Sequence, residues 1–224
     1  MKKRMIAEVL SEIEFPGDGI IAGKTEDGDG VITACFVCSD EMNRRFVEEG
    51  GGVAIEPMDN NADPALVYQP ALTFENKVLL CNASHGEQIF SSLAEGKSFG
   101  NAVKDQKPLA DGNARLTALL NIGEHDFEMD LRITKYAGEG EGLLKQSFKY
   151  SDLPKGTGYI LCSHRSKDTS FEGEPICVSL EGSIFDMVAD IWENLHAKTR
   201  LSLWVRWVDL NTHRDIQRII NRVR

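Results

Sequence analysis

What most constrains this chain is a succession of short apolar runs, each closed by glycine, proline or acidic turn residues. "GIIAGKT" (19–25) meets the turn signal "EDGDG", and "VITACFVCS" (31–39) reads as the return strand of a hairpin. "GGVAIEP" (51–57), "ALVYQPALTF" (65–74) and "KVLLCNAS" (77–84) read as further strands, with Glu75-Asn76 as a tight-turn signal. Later come "FEMDLRITKY" (127–136), "LLKQSFKYS" (143–151), "GTGYILCSHRS" (156–166), "ICVSLEG" (176–182) and the alternating "RLSLWVRWVDL" (200–210), before "RDIQRIINRV" ends the pattern.

Helical spacing interrupts this β pattern in few places. "MIAEVLSEI" (5–13) is a short amphipathic helix stopped by "FPGDG", because proline and glycine break helix and strand alike. Ile89, Phe90 and Leu93, then Phe99, Ala102 and Val103, recur at three- and four-residue spacing, with Gly96 and Gly100 as weak points. "NARLTALLN" (113–121) reads as a shorter helical or irregular segment. The strongest amphipathic helix runs from Ile184 to Leu195. Antiparallel-type strands interrupted by helical blocks imply an α+β fold of two sheets with helices on their outer faces. No glycine-rich strand-to-helix fingerprint suggests a dinucleotide fold.

At 224 residues and 42% apolar content the chain can build one substantial core, and a single domain over 1–224 is expected. Its formal net charge of -10 disfavours nucleic-acid and anionic-membrane partners, which need a basic surface. No stretch resembles a secretory signal or a membrane span, so a cytoplasmic protein is expected. Cys35 and Cys38 form a CxxC inside a β-rich run with no second ligand pair, a poor zinc signature.

Four clusters could carry chemistry, and each also has a plain structural reading. Arg44 and Arg45 adjoin on what reads as a loop, where arginines are usually solvated, yet paired hydrogen bonds suit them to phosphate. Tyr68 sits between two prolines, as a core phenol or one facing a cleft. In "VLLCNASHGEQI" (78–89), Asn82 and His85 either cap the following helix or offer an amide and an imidazole to a ligand. Arg115 lies on an apolar segment, where a buried arginine needs a partner. By residue chemistry alone, these clusters suit a pocket for something polar and anionic.

Taken in order, "FPGDGIIAGKTEDG" (15–28), "NRRFVEEGGG" (43–52), "DPALVYQPALTF" (63–74), "VLLCNASHGEQI", "NARLTALLN", "SFEGEP" (170–175) and "LSLWVRWVDL" (201–210) resemble the archaeal-type inosine monophosphate (IMP) cyclohydrolase family and its bacterial relatives. The resemblance implies a four-layer αββα sandwich like that of N-terminal-nucleophile hydrolases, without their amino-terminal nucleophile. It also implies a purine-biosynthetic ring closure, in which 5-formamidoimidazole-4-carboxamide ribotide becomes IMP with loss of water. Tyr68, Asn82, Arg115 and His164 would then be catalytic, His164 standing where relatives place a phenol. Lys24, Asn43, Arg44, His85, Asp111 and Asn121 would bind the substrate. No metal or organic cofactor is implied, and the expected partner is a small purine nucleotide, in a protein that could form a homo-oligomer. Two alternatives stand beside this: a non-catalytic nucleotide-binding member of the family, and a structural or assembly subunit with a vestigial pocket.

Overall fold

The computed structural model describes the chain except residues 1–2, 42–43, 59–65, 110–112, 138–141, 167–168, 171–172 and 223–224. In chain order its elements are β1 (Arg4–Met5), α1 (Ile6–Glu12), β2 (Asp18–Lys24), β3 (Gly30–Cys38), β4 (Arg44–Glu49), β5 (Gly52–Pro57), β6 (Ala71–Phe74), β7 (Lys77–Cys81), α2 (His85–Ala94), α3 (Phe99–Ala102), β8 (Arg115–Ile122), β9 (Phe127–Tyr136), β10 (Leu143–Tyr150), β11 (Thr157–Cys162), β12 (His164–Ser166), β13 (Thr169–Ser170), β14 (Ile176–Ser179), α4 (Ile184–Asn194), β15 (Arg200–Asp209) and β16 (Asp215–Asn221). One seven-stranded sheet is ordered β1-β14-β11-β2-β3-β15-β16, a second is ordered β10-β9-β8-β7-β6-β5-β4, and β12 and β13 form a small ribbon. Neighbouring strands are antiparallel except β1 with β14.

One apolar core joins the two sheets. Ile20, Ile32 and Val205 of the first sheet share it with Phe46, Leu116, Leu120 and Leu131 of the second. On β7, Val78 and Leu80 enter that core while Leu79 and Cys81 join a smaller cluster with Ile89 and Val103 beneath α2 and α3. This is the pleat's alternation with both faces covered.

The expected four-layer αββα sandwich is not what the chain builds. Strand accounts for 48% of the structure and helix for 17%, in two large sheets and four short helices. The longest helix has 11 residues. At about 1.5 Å per residue it spans about 16 Å, against about 30 Å across seven strands, so such helices cover patches of a sheet and cannot form layers. α1 and α4 pack on each other beside β14 and β15, and α2 packs on β6 and β7 with α3 beside it.

Two local expectations also change. Residues 113–121 are mostly strand, for β8 pairs with β9 along its length and with β7 from Thr117 to Asn121. Because Leu116, Thr117, Ala118, Leu119 and Leu120 are all buried, apolar groups fill both faces and period-two patterning vanishes from the sequence. The arginine loop is strand β4, hairpinned to β5 through Gly50 and Gly51, whose φ values of 58° and 79° favour glycine.

β4 is an edge strand, and polar side chains of the other sheet cover its open side. The Phe46 amide donates to Ser202 Oγ at 3.2 Å and Asn221 Oδ1 at 3.1 Å, and Asn221 Nδ2 returns a bond to the Phe46 carbonyl at 2.9 Å. The open-edge amide and carbonyl of Phe46 are thereby satisfied, and β4 is anchored across the sandwich.

Candidate functional site

The β4 pleat sends its adjacent arginines to opposite faces. Arg45 turns to solvent and holds Glu56, with Nη2 at 2.7 Å and Nε at 2.9 Å from Oε2. Arg44 turns inward with Phe46, and its Nη2 donates to Asp18 Oδ1 at 2.8 Å. Side-chain exposure is 12% for Arg44 and 13% for Asp18, so this ion pair is largely shielded from water.

Tyr68 is buried beside the pair and interacts electrostatically with the Arg44 guanidinium. Burial works against the charge of Arg44, but its acidic surroundings, Asp18 foremost, hold its pKa above the ordinary value. Burial raises the Tyr68 phenol well above its usual range and the Asp18 carboxylate adds to the rise, with Arg44 opposing. The phenol is therefore a proton donor at neutral pH. Arg44 Nε is buried and donates to no acceptor among the described residues. Such a group costs roughly 1–3 kcal/mol, which a ligand oxygen would offset.

Asp18 is held in place by its own backbone. Its amide donates to Ser163 Oγ at 3.0 Å, and the Ser163 amide donates to the Asp18 carbonyl at 2.8 Å. Ser163 Oγ lies 2.9 Å from His164 Nδ1, and Phe15 packs edge-on against the imidazole at 5.7 Å between centroids. Gly17, at φ 63°, permits this approach: a Cβ there would stand 2.3 Å from Ser163 Oγ and 2.6 Å from His164 Nδ1. Arg44, Tyr68 and, through Ser163 and Asp18, His164 thus gather at one end of β2.

The other residues singled out in the sequence lie elsewhere. Asn82 spends its amide on backbone: Nδ2 donates to the Ala114 carbonyl at 2.9 Å, and Oδ1 accepts from the Leu116 amide at 2.8 Å. His85 Nε2 meets Thr117 Oγ1 at 3.0 Å, and burial together with the nearby Arg115 guanidinium lowers its pKa to about 3. Arg115 shares the pleat face of Thr117 and Leu119, on the helix-covered side of the second sheet, and its Nε donates to the Lys107 carbonyl. Arg44 and Arg115 therefore serve opposite faces of that sheet. Lys24 ends β2 at the pole away from Asp18 and pairs with Asp126 at 3.1 Å, while Asn121 sits opposite Lys77 and Glu128 on β8. Asn43 and Asp111 lie outside the described residues.

Asp18 and Ser163 were not among the candidates read from the sequence. The available signal for Asp18 was a carboxylate directly after "FPG" that opens an otherwise apolar strand.

Among the described residues, no group of three or more His, Cys, Asp or Glu side chains could hold a metal ion. Cys35 and Cys38 are both buried on β3, three positions apart, so the pleat points them to opposite faces. No helix of the described residues is long and apolar enough to cross a membrane.

At one end of the two face-packed sheets, a carboxylate, a guanidinium and a phenol thus lie together largely shielded from water. Residues 15–111 match the family described as IMP cyclohydrolase-like protein. That span is under half of the chain; it includes Asp18, Arg44, Tyr68, Asn82 and His85 and stops before Arg115 and His164. No curated protein matches the chain.

Proposed function

We propose that this protein binds 5-formamidoimidazole-4-carboxamide ribotide and closes its ring to IMP at the Asp18, Arg44 and Tyr68 site. The observation that carries the reading is the buried Arg44 Nε, a donor lacking an acceptor among the described residues, beside a protonated phenol and inside the span that matches the family.

The chemistry asks for such a group. The carboxamide nitrogen is a weak nucleophile that must be held against the formyl carbon, and the formyl oxygen becomes an oxyanion as the new C–N bond forms. Arg44 Nε would donate to that oxygen, with Asp18 fixing the guanidinium plane. Tyr68 would protonate the oxygen and recover its proton from the attacking carboxamide nitrogen, and the resulting hydroxyl would leave as water with the proton given up by the former formamide nitrogen. A guanidinium already paired with a carboxylate suits a neutral carbonyl better than a phosphate dianion, so Arg44 is assigned to the formyl end.

Asn82 favours a second reading, nucleotide binding without turnover, because the amide that the resemblance makes catalytic is occupied by backbone. Incubating the purified protein with the ribotide and following ultraviolet absorbance tests the first reading: IMP should form, and more slowly in Tyr68→Phe. No product, together with a melting temperature raised by IMP, would favour the second. A tight ligand at a hundred times its Kd adds about 2.7 kcal/mol. Neither product nor a melting shift would overturn both readings.

A further inference from the structure

The helix-covered face of the second sheet carries a separate feature. A pocket of about 640 Å³ between α2, α3 and the start of β8 is lined by Lys97, Lys104, Lys107 and Arg115, with Asp105 as the one acidic member among the described residues. On a chain of formal net charge -10 this concentration of cations runs against the background. Glu95 balances Lys97 at 2.9 Å, whereas Lys104 and Lys107 pair with no carboxylate among the described residues.

The pocket is braced. Arg115 Nε donates to the Lys107 carbonyl, tying the guanidinium to the segment that carries the lysines. Gln106 Nε2 donates to Gln88 Oε1 at 3.3 Å, joining that segment to α2, and Lys145 Nζ on β10 reaches the Lys104 carbonyl at 2.5 Å. Like charges that line one pocket repel one another, and a bound dianion reverses the sign of that contribution.

We infer that this pocket is a binding site for a phosphomonoester of sugar-phosphate or mononucleotide size, separate from the Asp18, Arg44 and Tyr68 site. Phosphate offers three acceptor oxygens and a double charge, which match two ammonium groups and an arginine fork. The volume exceeds what a bare ion fills and lies within the range of small-molecule sites.

The test is calorimetric titration at low salt with ribose 5-phosphate, with inorganic phosphate and with ribose. Wild-type protein binds ribose 5-phosphate more tightly than inorganic phosphate and does not bind ribose. The double variant Lys104→Glu, Lys107→Glu alters two exposed side chains, so it melts like wild type yet binds at least about tenfold more weakly. Tyr68→Phe keeps the binding. Absence of binding by wild type, or equal affinity in the double variant, overturns the site. Equal affinity for inorganic phosphate overturns its assignment to a sugar-sized ligand. Loss of binding in Tyr68→Phe, with the double variant unaffected, would place the phosphate at the other site.

Discussion

Arg44 Nη2 meets Asp18 Oδ1 at 2.8 Å, and this contact ties the edge strand of one sheet to the first residue of the middle strand of the other. Breaking it leaves a guanidinium that is largely removed from water without its counter-charge. Asp18→Asn should lower stability by about 3 kcal/mol, read from urea unfolding, because one remaining buried charge costs more than the pair contributes. Removing both charges in Asp18→Asn, Arg44→Met should recover part of that loss. A single variant as stable as wild type would show that the pair is not shielded as its geometry implies.

Residues with a single dominant environment were legible in the sequence. The helix expected over 184–195 spans Ile184–Asn194, started by a capping box in which Ser183 and Asp186 bond reciprocally. Residues 113–121 were misread because β8 is apolar on both faces, so the period that separates strand from helix is absent. The pairing of Arg44 with Asp18 was illegible for a different reason. It depends on β4 being a strand, whose pleat alone decides which of two adjacent arginines faces inward, and β4 is held at its open edge by Ser202 and Asn221, more than 150 positions away. Asn82 answers the question that "VLLCNASHGEQI" raises, since the polar end of β7 is spent on registering the next strand.

Asn82→Ala is therefore expected to act on stability first. It leaves the Ala114 carbonyl and the Leu116 amide without their side-chain partner, at a cost of about 2–3 kcal/mol. Urea unfolding measures the loss. If ring closure proceeds, its rate per folded molecule should change little. A rate falling far beyond the folded fraction would return Asn82 to the ligand.

Tyr68→Phe should separate chemistry from folding. The phenol's polar contact with Arg44 contributes at most about 1 kcal/mol to stability, whereas general acid catalysis contributes about 100-fold to a rate. Because burial, then Asp18, raises the phenol well above its ordinary pKa, it should stay protonated through pH 9. The wild-type rate of IMP formation should accordingly show no loss between pH 7 and 9 from this group. Equal rates for Tyr68→Phe and wild type would remove Tyr68 from the reaction.

His85 sets a pH dependence of folding whose sign follows from its surroundings. Burial, and after it the Arg115 guanidinium, lowers its pKa to about 3, while an unfolded histidine titrates near about 6.5. Below pH 6.5 the unfolded chain takes up a proton that the folded protein refuses, so the stability tied to His85 is complete above that pH and is lost as pH falls toward 3. The slope reaches about 1.4 kcal/mol per pH unit. His85→Gln keeps a polar group for Thr117 and does not titrate. Between pH 7 and 4.5 its unfolding free energy should fall by about 2.5 kcal/mol less than that of wild type, the carboxylates contributing alike to both. Urea unfolding at the two pH values measures the difference. Parallel losses would mean that His85 is protonated in the folded protein.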